Sequence, residues 1–128
     1  MPRKADIVRD LIFERGSRCN IGYALRCNGQ TEAKEYIENL NDTIQASFAA
    51  LFRRIKEGEI LTQERFRKLQ DSDDIFEFKH RKGHRIPTFK YKGTWWLTHG
   101  FLKKGQKTPK TQIRRAEQIK KEHMSLFK

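Results

Sequence analysis

The chain has 128 residues, 36% hydrophobic and 34% charged, with 28 Lys and Arg against 16 Asp and Glu for a formal net charge of +12. That length suits one domain of ~100–200 residues, and nine Phe, three Tyr and two Trp supply a core that a disordered chain lacks. No stretch approaches the ~20 apolar residues of a bilayer span, and the opening MPRKADIVRDLIFERG has no apolar signal core, so a cytoplasmic protein without a membrane partner is expected.

Residues Asp6–Arg15 read as a short helix, with Ile7, Leu11 and Ile12 on one side and Gly16 as its stop. Ile21–Cys27 reads as a strand ended by the turn pair Asn28–Gly29. Thr31 caps a helix whose apolar face is Ala33, Tyr36, Ile37 and Leu40. Asp42 and Gln45 form a capping box for the next helix, which carries Ile44, Phe48, Leu51, Phe52 and Ile55 on one stripe. These two helices make a hairpin that has to bury its stripe. Glu59–Asp74 is polar, with Leu61, Phe66 and Leu69 as anchors. Ile75–His80, Arg85–Tyr91 and Thr94–Leu102 then read as strands, joined through Arg81-Lys82-Gly83-His84 and across Lys92–Gly93. Pro87 removes a ladder donor, which predicts an edge strand or a bulge there. Thr108 reads as an N-cap with Pro109 at the first helical position, and a basic helix follows to about Phe127. The expected fold is α+β, with the hairpin and the C-terminal helix on one face of a small, mainly antiparallel sheet.

The charge is not evenly spread. Residues 1–64 carry 10 basic and 10 acidic side chains, whereas residues 65–128 carry 18 basic and 6 acidic. A positive field confined to one half and interleaved with aromatic rings points to nucleic acid, because cations neutralise phosphates and rings stack on bases. A solvated Lys face or acidic lipid is the plainer alternative. Cys19 and Cys27 have no metal or redox spacing; the spacing leaves a disulfide open, and a cytosolic protein keeps both as thiols. Glu117 and Glu122 are the only acidic residues after Glu77. Paired carboxylates, a zinc-spacing cluster, a phosphate-binding glycine loop and a serine-hydrolase signature are all missing from the basic half. No metal and no small-molecule cofactor is therefore expected.

The run Trp96-Leu97-Thr98-His99-Gly100-Phe101-Leu102-Lys103-Lys104, followed by Gln106-Lys107-Thr108-Pro109, resembles the signature of HigB-like toxins of the phage-derived group in the RelE/ParE superfamily. That signature is a hydrophobic strand, Gly-Phe-x-Lys-Lys, a polar spacer, and Thr-Pro opening a helix. Glu77-Phe78-Lys79 resembles the family's Glu-Leu-Arg strand, although Lys79 stands where Arg is usual and cannot offer a bidentate phosphate contact. His84-Arg85-Ile86 resembles its Tyr-Arg-hydrophobic segment. The likeness runs from about Ile21 to Phe127. A single RelE/HigB-like domain is expected over residues 1–128, with residues 1–20 as an N-terminal extension. The resemblance implies the RelE-like fold and the toxin of a type II toxin–antitoxin pair. Such toxins typically cleave mRNA on the ribosome, and their partner is a small antitoxin, often of helix-turn-helix type. A branch of the superfamily inhibits DNA gyrase instead, and a basic nucleic-acid-binding module without activity is a third reading.

Metal-free RNA cleavage needs a base for the 2′-OH, an acid for the 5′ oxygen and cations for the charge that develops on phosphorus. Arg85 is the first candidate, as phosphate clamp, set against a surface Arg beside a turn. Lys103 and Lys104 leave the last strand in opposite directions, so one reaches the site and the other is solvated. Lys79 alternates with Phe78 and faces away from the core, toward either the site or solvent. Tyr91 is a candidate acid or stacking ring, set against a half-buried strand end. His84, in the Arg-rich turn, is the better catalytic histidine. His99, in register with Leu97 and Phe101, reads as a satisfied core residue. His123 lies on the last helix's apolar arc with Ala116, Ile119 and Phe127; packing against the sheet is the plain reading and presentation to the site the sharp one. Arg81, Lys82, Lys107 and Lys110 are expected to bind RNA. Trp95 and Trp96 fall on opposite faces, one in the core and the other, Trp96, a stacking platform or antitoxin contact. With Lys92–Gly93 as a two-residue turn, Arg85 shares a face with Phe89 and Trp96 and stands among core residues. A bulge at Pro87 reverses that parity.

Overall fold

The computed structural model describes residues 2–128. The first helix, α1, spans Lys4–Leu11, and the chain then runs straight into strand β1, Ile12–Arg15. The helix expected to reach Arg15 thus stops four residues early, because Ile12–Arg15 pairs with β2, Asn20–Tyr23. Tertiary pairing outweighs a weak helical period here. Helix α2 is Glu32–Glu38, and α3 is Asp42–Lys56. The cap of α3 is Asn41, whose side chain accepts from the Ile44 N–H at 2.9 Å; Asp42 is already helical. Ile44, Phe48, Leu51, Phe52 and Ile55 are all buried, as their spacing predicts.

The second half is a sheet. Strand β3, Phe66–Lys68, forms inside the polar stretch and pairs with β4, Phe76–Lys79. Next come β5, His84–Tyr91; β6, Thr94–Leu97; and β7, Phe101–Leu102. The sheet order is β1-β2-β6-β5-β4-β3, and β7 also pairs with β5. All pairs are antiparallel except β2 with β6. Lys92 (φ 51°) and Gly93 (φ 76°) form the two-residue turn between β5 and β6; two successive positive φ angles match the right-handed strand twist. Helix α4, Lys110–Leu126, closes the chain, with Pro109 in the N-cap position. Thr108 does not cap it, because its hydroxyl donates to the buried Glu77 carboxylate at 2.9 and 3.0 Å.

Helices cover both faces of the sheet rather than one. The hairpin stripe packs with Ile21, Phe78, Ile86, Trp95 and Leu97. Ile113, Ala116 and Ile119 of α4, with Val8 and Leu11 of α1, pack with Ala24, Ile75, Phe89 and Trp96. Each Leu, Ile or Phe fully buried in this way contributes ~1.5–3 kcal/mol. Strand β5 is central, and its register with β4 runs unbroken through Pro87. The extra residue lies instead on the neighbouring strand: Leu97 pairs with Thr88 and Phe101 with Arg85, four steps against three. The Pro87 carbonyl accepts from the Thr98 N–H at 2.9 Å and the Thr98 hydroxyl at 2.8 Å. N and C=O of an extended residue face the same neighbour, so the missing proline donor falls where that neighbour is interrupted. No described helix is long and apolar enough to cross a membrane. Cys19 is a buried free thiol and Cys27 an exposed one.

Candidate functional site

The turn between β4 and β5, residues 80–84, carries Arg81 and Lys82 on its exposed tip, with His80 and His84 at its two ends. The His80 N–H donates to the His84 carbonyl at 2.9 Å, and the Gly83 N–H to the His80 carbonyl at 2.9 Å. Arg85 locks the turn from beneath. Its Nη1 donates to the carbonyls of His80 (2.7 Å) and His84 (3.0 Å).

Two recesses open on either side of this turn. The larger, about 470 Å³, is walled by Tyr36, Leu40, His84, His99, Gly100 and Arg115, with Glu32 and Glu35 at its rim. In its wall Tyr36 Oη and His84 Nδ1 are 2.6 Å apart. Burial pushes the Tyr36 phenol up, while burial and the nearby Arg85 and Lys82 charges push the His84 imidazole down. The phenol therefore keeps its proton and the imidazole is neutral, so Oη donates to Nδ1 and the ring proton sits on Nε2. Tyr36 lies flat against Gly100: a Cβ there would stand 2.1 Å from Tyr36 Cδ2. The smaller recess, about 190 Å³, is lined by Ser47, Leu51, Arg65, Lys79, His80 and Arg81.

On the α4 side of the sheet lies a second polar cluster. Glu77 is fully buried, with Arg67 Nε 3.8 Å from its carboxylate. Lys79 and Arg85 pair across β4 and β5. Burial, then the charges of Arg67 and Arg85, lower the Lys79 pKa; burial, then Arg85, lower that of Lys103.

The structure brings His84, Arg81, Lys82, Lys79, Arg85 and Lys103 to one end of the sheet. Arg85 does share its face with Phe89 and Trp96 and is 9% exposed, so its guanidinium holds the turn rather than standing open as a clamp. Lys103 is half-buried and its N–H donates to the Gly83 carbonyl at 2.8 Å, while Lys104, Lys107 and Lys110 are exposed. Three further expectations need correction. Tyr91 lies at the far end of β5, about 23 Å along an eight-residue strand from His84, where its hydroxyl reaches the Phe127 carbonyl. His123 is fully buried, with Nδ1 accepting from the Leu25 N–H at 2.9 Å and its ring 4.2 Å from that of Trp96; burial pushes its pKa down to about 4. Trp96 is 3% exposed beneath it and offers no stacking surface; Trp95, 9% exposed, packs edge-on to Phe66 and Phe76. His99 is the satisfied core histidine expected, bonded to the Thr98 hydroxyl (3.0 Å) and Gln112 (2.9 Å), and burial pushes it down to about 4.

Sequence reasoning missed Tyr36, Arg65 and His80. Tyr36 fits its helix's apolar stripe, and nothing local marks a partner 48 residues away.

No curated protein matches the chain. The profile of one family, described as phage derived protein Gp49-like (DUF891), matches residues 35–121. That span is about two thirds of the chain and takes in the recess walls from Tyr36 to Arg115, the basic turn and most of α4. The chain belongs to the Gp49-like phage-derived protein family.

Proposed function

We propose that this protein is the toxin of a type II toxin–antitoxin pair and that it cleaves mRNA without a metal ion, on the ribosome. Support comes from membership of the Gp49-like family, which is RelE/toxin-like, and from the site. The observation that carries the reading is the 2.6 Å contact of Tyr36 Oη with a neutral His84 at the wall of an open recess, beside the basic turn. In this scheme Tyr36 Oη takes the proton of the attacking 2′-OH as its own proton passes to His84 Nδ1. The 2′ oxygen bonds to phosphorus and the bond to the 5′ oxygen breaks. The imidazolium then gives its Nε2 proton to that departing oxygen. Lys82, whose charge already bears on His84, stabilises the charge on phosphorus, and Arg85 keeps the turn in place. The exposed Lys104, Lys107 and Lys110 contact RNA backbone. A cognate antitoxin, of the small helix-turn-helix type, is the partner that keeps the toxin silent.

The test is induction in cells that lack the antitoxin, with transcript 5′ ends mapped. New ends and growth arrest are expected from the wild type, with cleavage lower by roughly 10²–10⁴-fold in His84→Gln. Intact transcripts with accumulating DNA breaks would establish gyrase inhibition instead.

A further inference from the structure

The smaller recess is walled largely by basic residues. It gathers Arg65, Lys79, His80 and Arg81 around an apolar floor at Leu51, with no carboxylate on its walls. Arg65, Lys79 and Arg81 form no ion pair among the described residues. Acids are within reach of their neighbours: Arg67 is 3.8 Å from Glu77, and Lys68 is 2.9 Å from Asp74. The Lys79 ammonium feels Arg67, Arg85 and Glu77 on the other side of the sheet, but Arg65 and Arg81 both bear on His80 in this hollow without a counter-ion, a repulsion that an anion removes.

We propose that this recess is a phosphate subsite, which takes the RNA backbone phosphate adjacent to the one cleaved. That the recess takes phosphate follows from its walls; that the phosphate belongs to RNA rests on the nuclease reading. His80 supplies the directional contact. Its Nδ1 accepts from the Lys82 N–H at 3.1 Å, which leaves Nε2–H as a donor. The recess, at about 190 Å³, has room for a phosphate group and a few waters.

The site also couples binding to protonation. Burial first, then the charges of His84, Arg81 and Lys82 from the turn and of Arg65 from the segment before β3, oppose a proton on His80. Helix α3 faces it with Ser47, Phe48 and Leu51, none of them charged. Phosphate in the recess reverses that field. By linkage, phosphate raises the His80 pKa, and affinity strengthens as pH falls through it.

The experiment is an NMR titration of the full chain with inorganic phosphate, following the His80 ring. Uncleavable 2′-O-methyl dinucleotides bearing no terminal phosphate, a 5′-phosphate or a 3′-phosphate are then compared. Saturable shifts at His80 and Arg65, a rise of His80 pKa by half a unit or more, and at least tenfold tighter binding of one terminally phosphorylated dinucleotide are expected. The double variant Arg65→Gln/Arg81→Gln should lose that tenfold preference. The idea is overturned by an unmoved His80, by equal binding of all three dinucleotides, or by unsaturable shifts spread evenly over Lys104 and Lys107. None of these readouts needs cleavage. A protein that binds phosphate this way but cuts no RNA loses only the nuclease reading; one that cuts RNA with His80 indifferent to phosphate loses only the subsite.

Discussion

Replacing Gly100 with Ala tests the Tyr36–His84 pair without touching either residue. The new Cβ would lie 2.1 Å from Tyr36 Cδ2, 2.3 Å from Cγ and 2.6 Å from Cε2, whereas ordinary contact begins at 3.4 Å. The clash is with the body of the ring, so rotating the hydroxyl end does not relieve it. The ring has to retreat by about 1.3 Å, which strains or breaks the 2.6 Å bond to His84. Overpacking of this kind costs ~1–3 kcal/mol, and the lost hydrogen bond adds ~0.5–1.5 kcal/mol. A displacement near 1 Å at a reacting group lowers a rate by roughly 10²-fold. The assay pairs urea denaturation with single-turnover cleavage of a ribosome-bound transcript. Tyr36→Phe is the control: it removes the hydroxyl and leaves the ring in place, so it should cost only ~1 kcal/mol with a comparable loss of rate. Wild-type cleavage by Gly100→Ala would refute the role given to the pair.

Three further outcomes are expected. His84 works with a neutral Nδ1, and burial with Arg85 and Lys82 holds its pKa below the ordinary 6.5; the cleavage rate should be flat through neutrality and fall as pH drops below 6.5, so an acid limb centred above pH 7 would contradict the assignment. Glu122, bonded to Arg26 at 2.7 Å, is held at about 2 against an ordinary 4.5. A depressed carboxylate stabilises the fold above pH 4.5 and loses that contribution as pH falls toward 2, about 1–2 kcal/mol after allowance for solvent screening; the gap between urea midpoints at pH 6 and pH 3 should narrow by that amount in Glu122→Gln. Asn41→Ala should cost ~1 kcal/mol as the loss of the α3 cap, and Asp42→Ala a few tenths, by thermal unfolding.

Helix α3 was legible because its stripe repeats at 3.6 residues, and the β5–β6 hairpin because Lys92–Gly93 is the turn that two twisted strands require. The two-sided sheet was harder to see. All four residues of β6 are buried, and a strand covered on both faces loses the alternation that reveals which side is core. Strand β3 and the residues of β1 have no period of their own; pairing partners create them. The parity of Arg85 was readable from the Lys92–Gly93 turn, which sets it among core residues; its service to the carbonyls of His80 and His84 was not, because no periodicity reports a side chain's backbone partners. What periodicity could not supply was the meeting of Tyr36 with His84, since both belong to locally sensible patterns and only the packing of α2 over the sheet end joins them.

That meeting depends on the irregularity between β6 and β7. A regular ladder from Leu97 to Phe101 would continue the pleat without interruption. The added residue across Thr98, His99 and Gly100 breaks the pleat at the sheet end. Thr98 then uses both its N–H and its hydroxyl on the Pro87 carbonyl. His99 is held between Thr98 and Gln112 of α4, and bare Gly100 is left where Tyr36 lies flat. The proline that cannot donate, the strand that skips a residue and the glycine without a side chain are therefore one arrangement. It spends a stretch of ladder at the centre of the sheet to admit an aromatic ring from α2 to within 2.6 Å of His84. A repair of the bulge by deleting one residue from 98–100 should accordingly restore strand pairing and close the recess together, leaving a folded chain that binds RNA with its basic surface and does not cut it. Retained cleavage in such a deletion, with the fold checked by NMR, would separate the bulge from the chemistry.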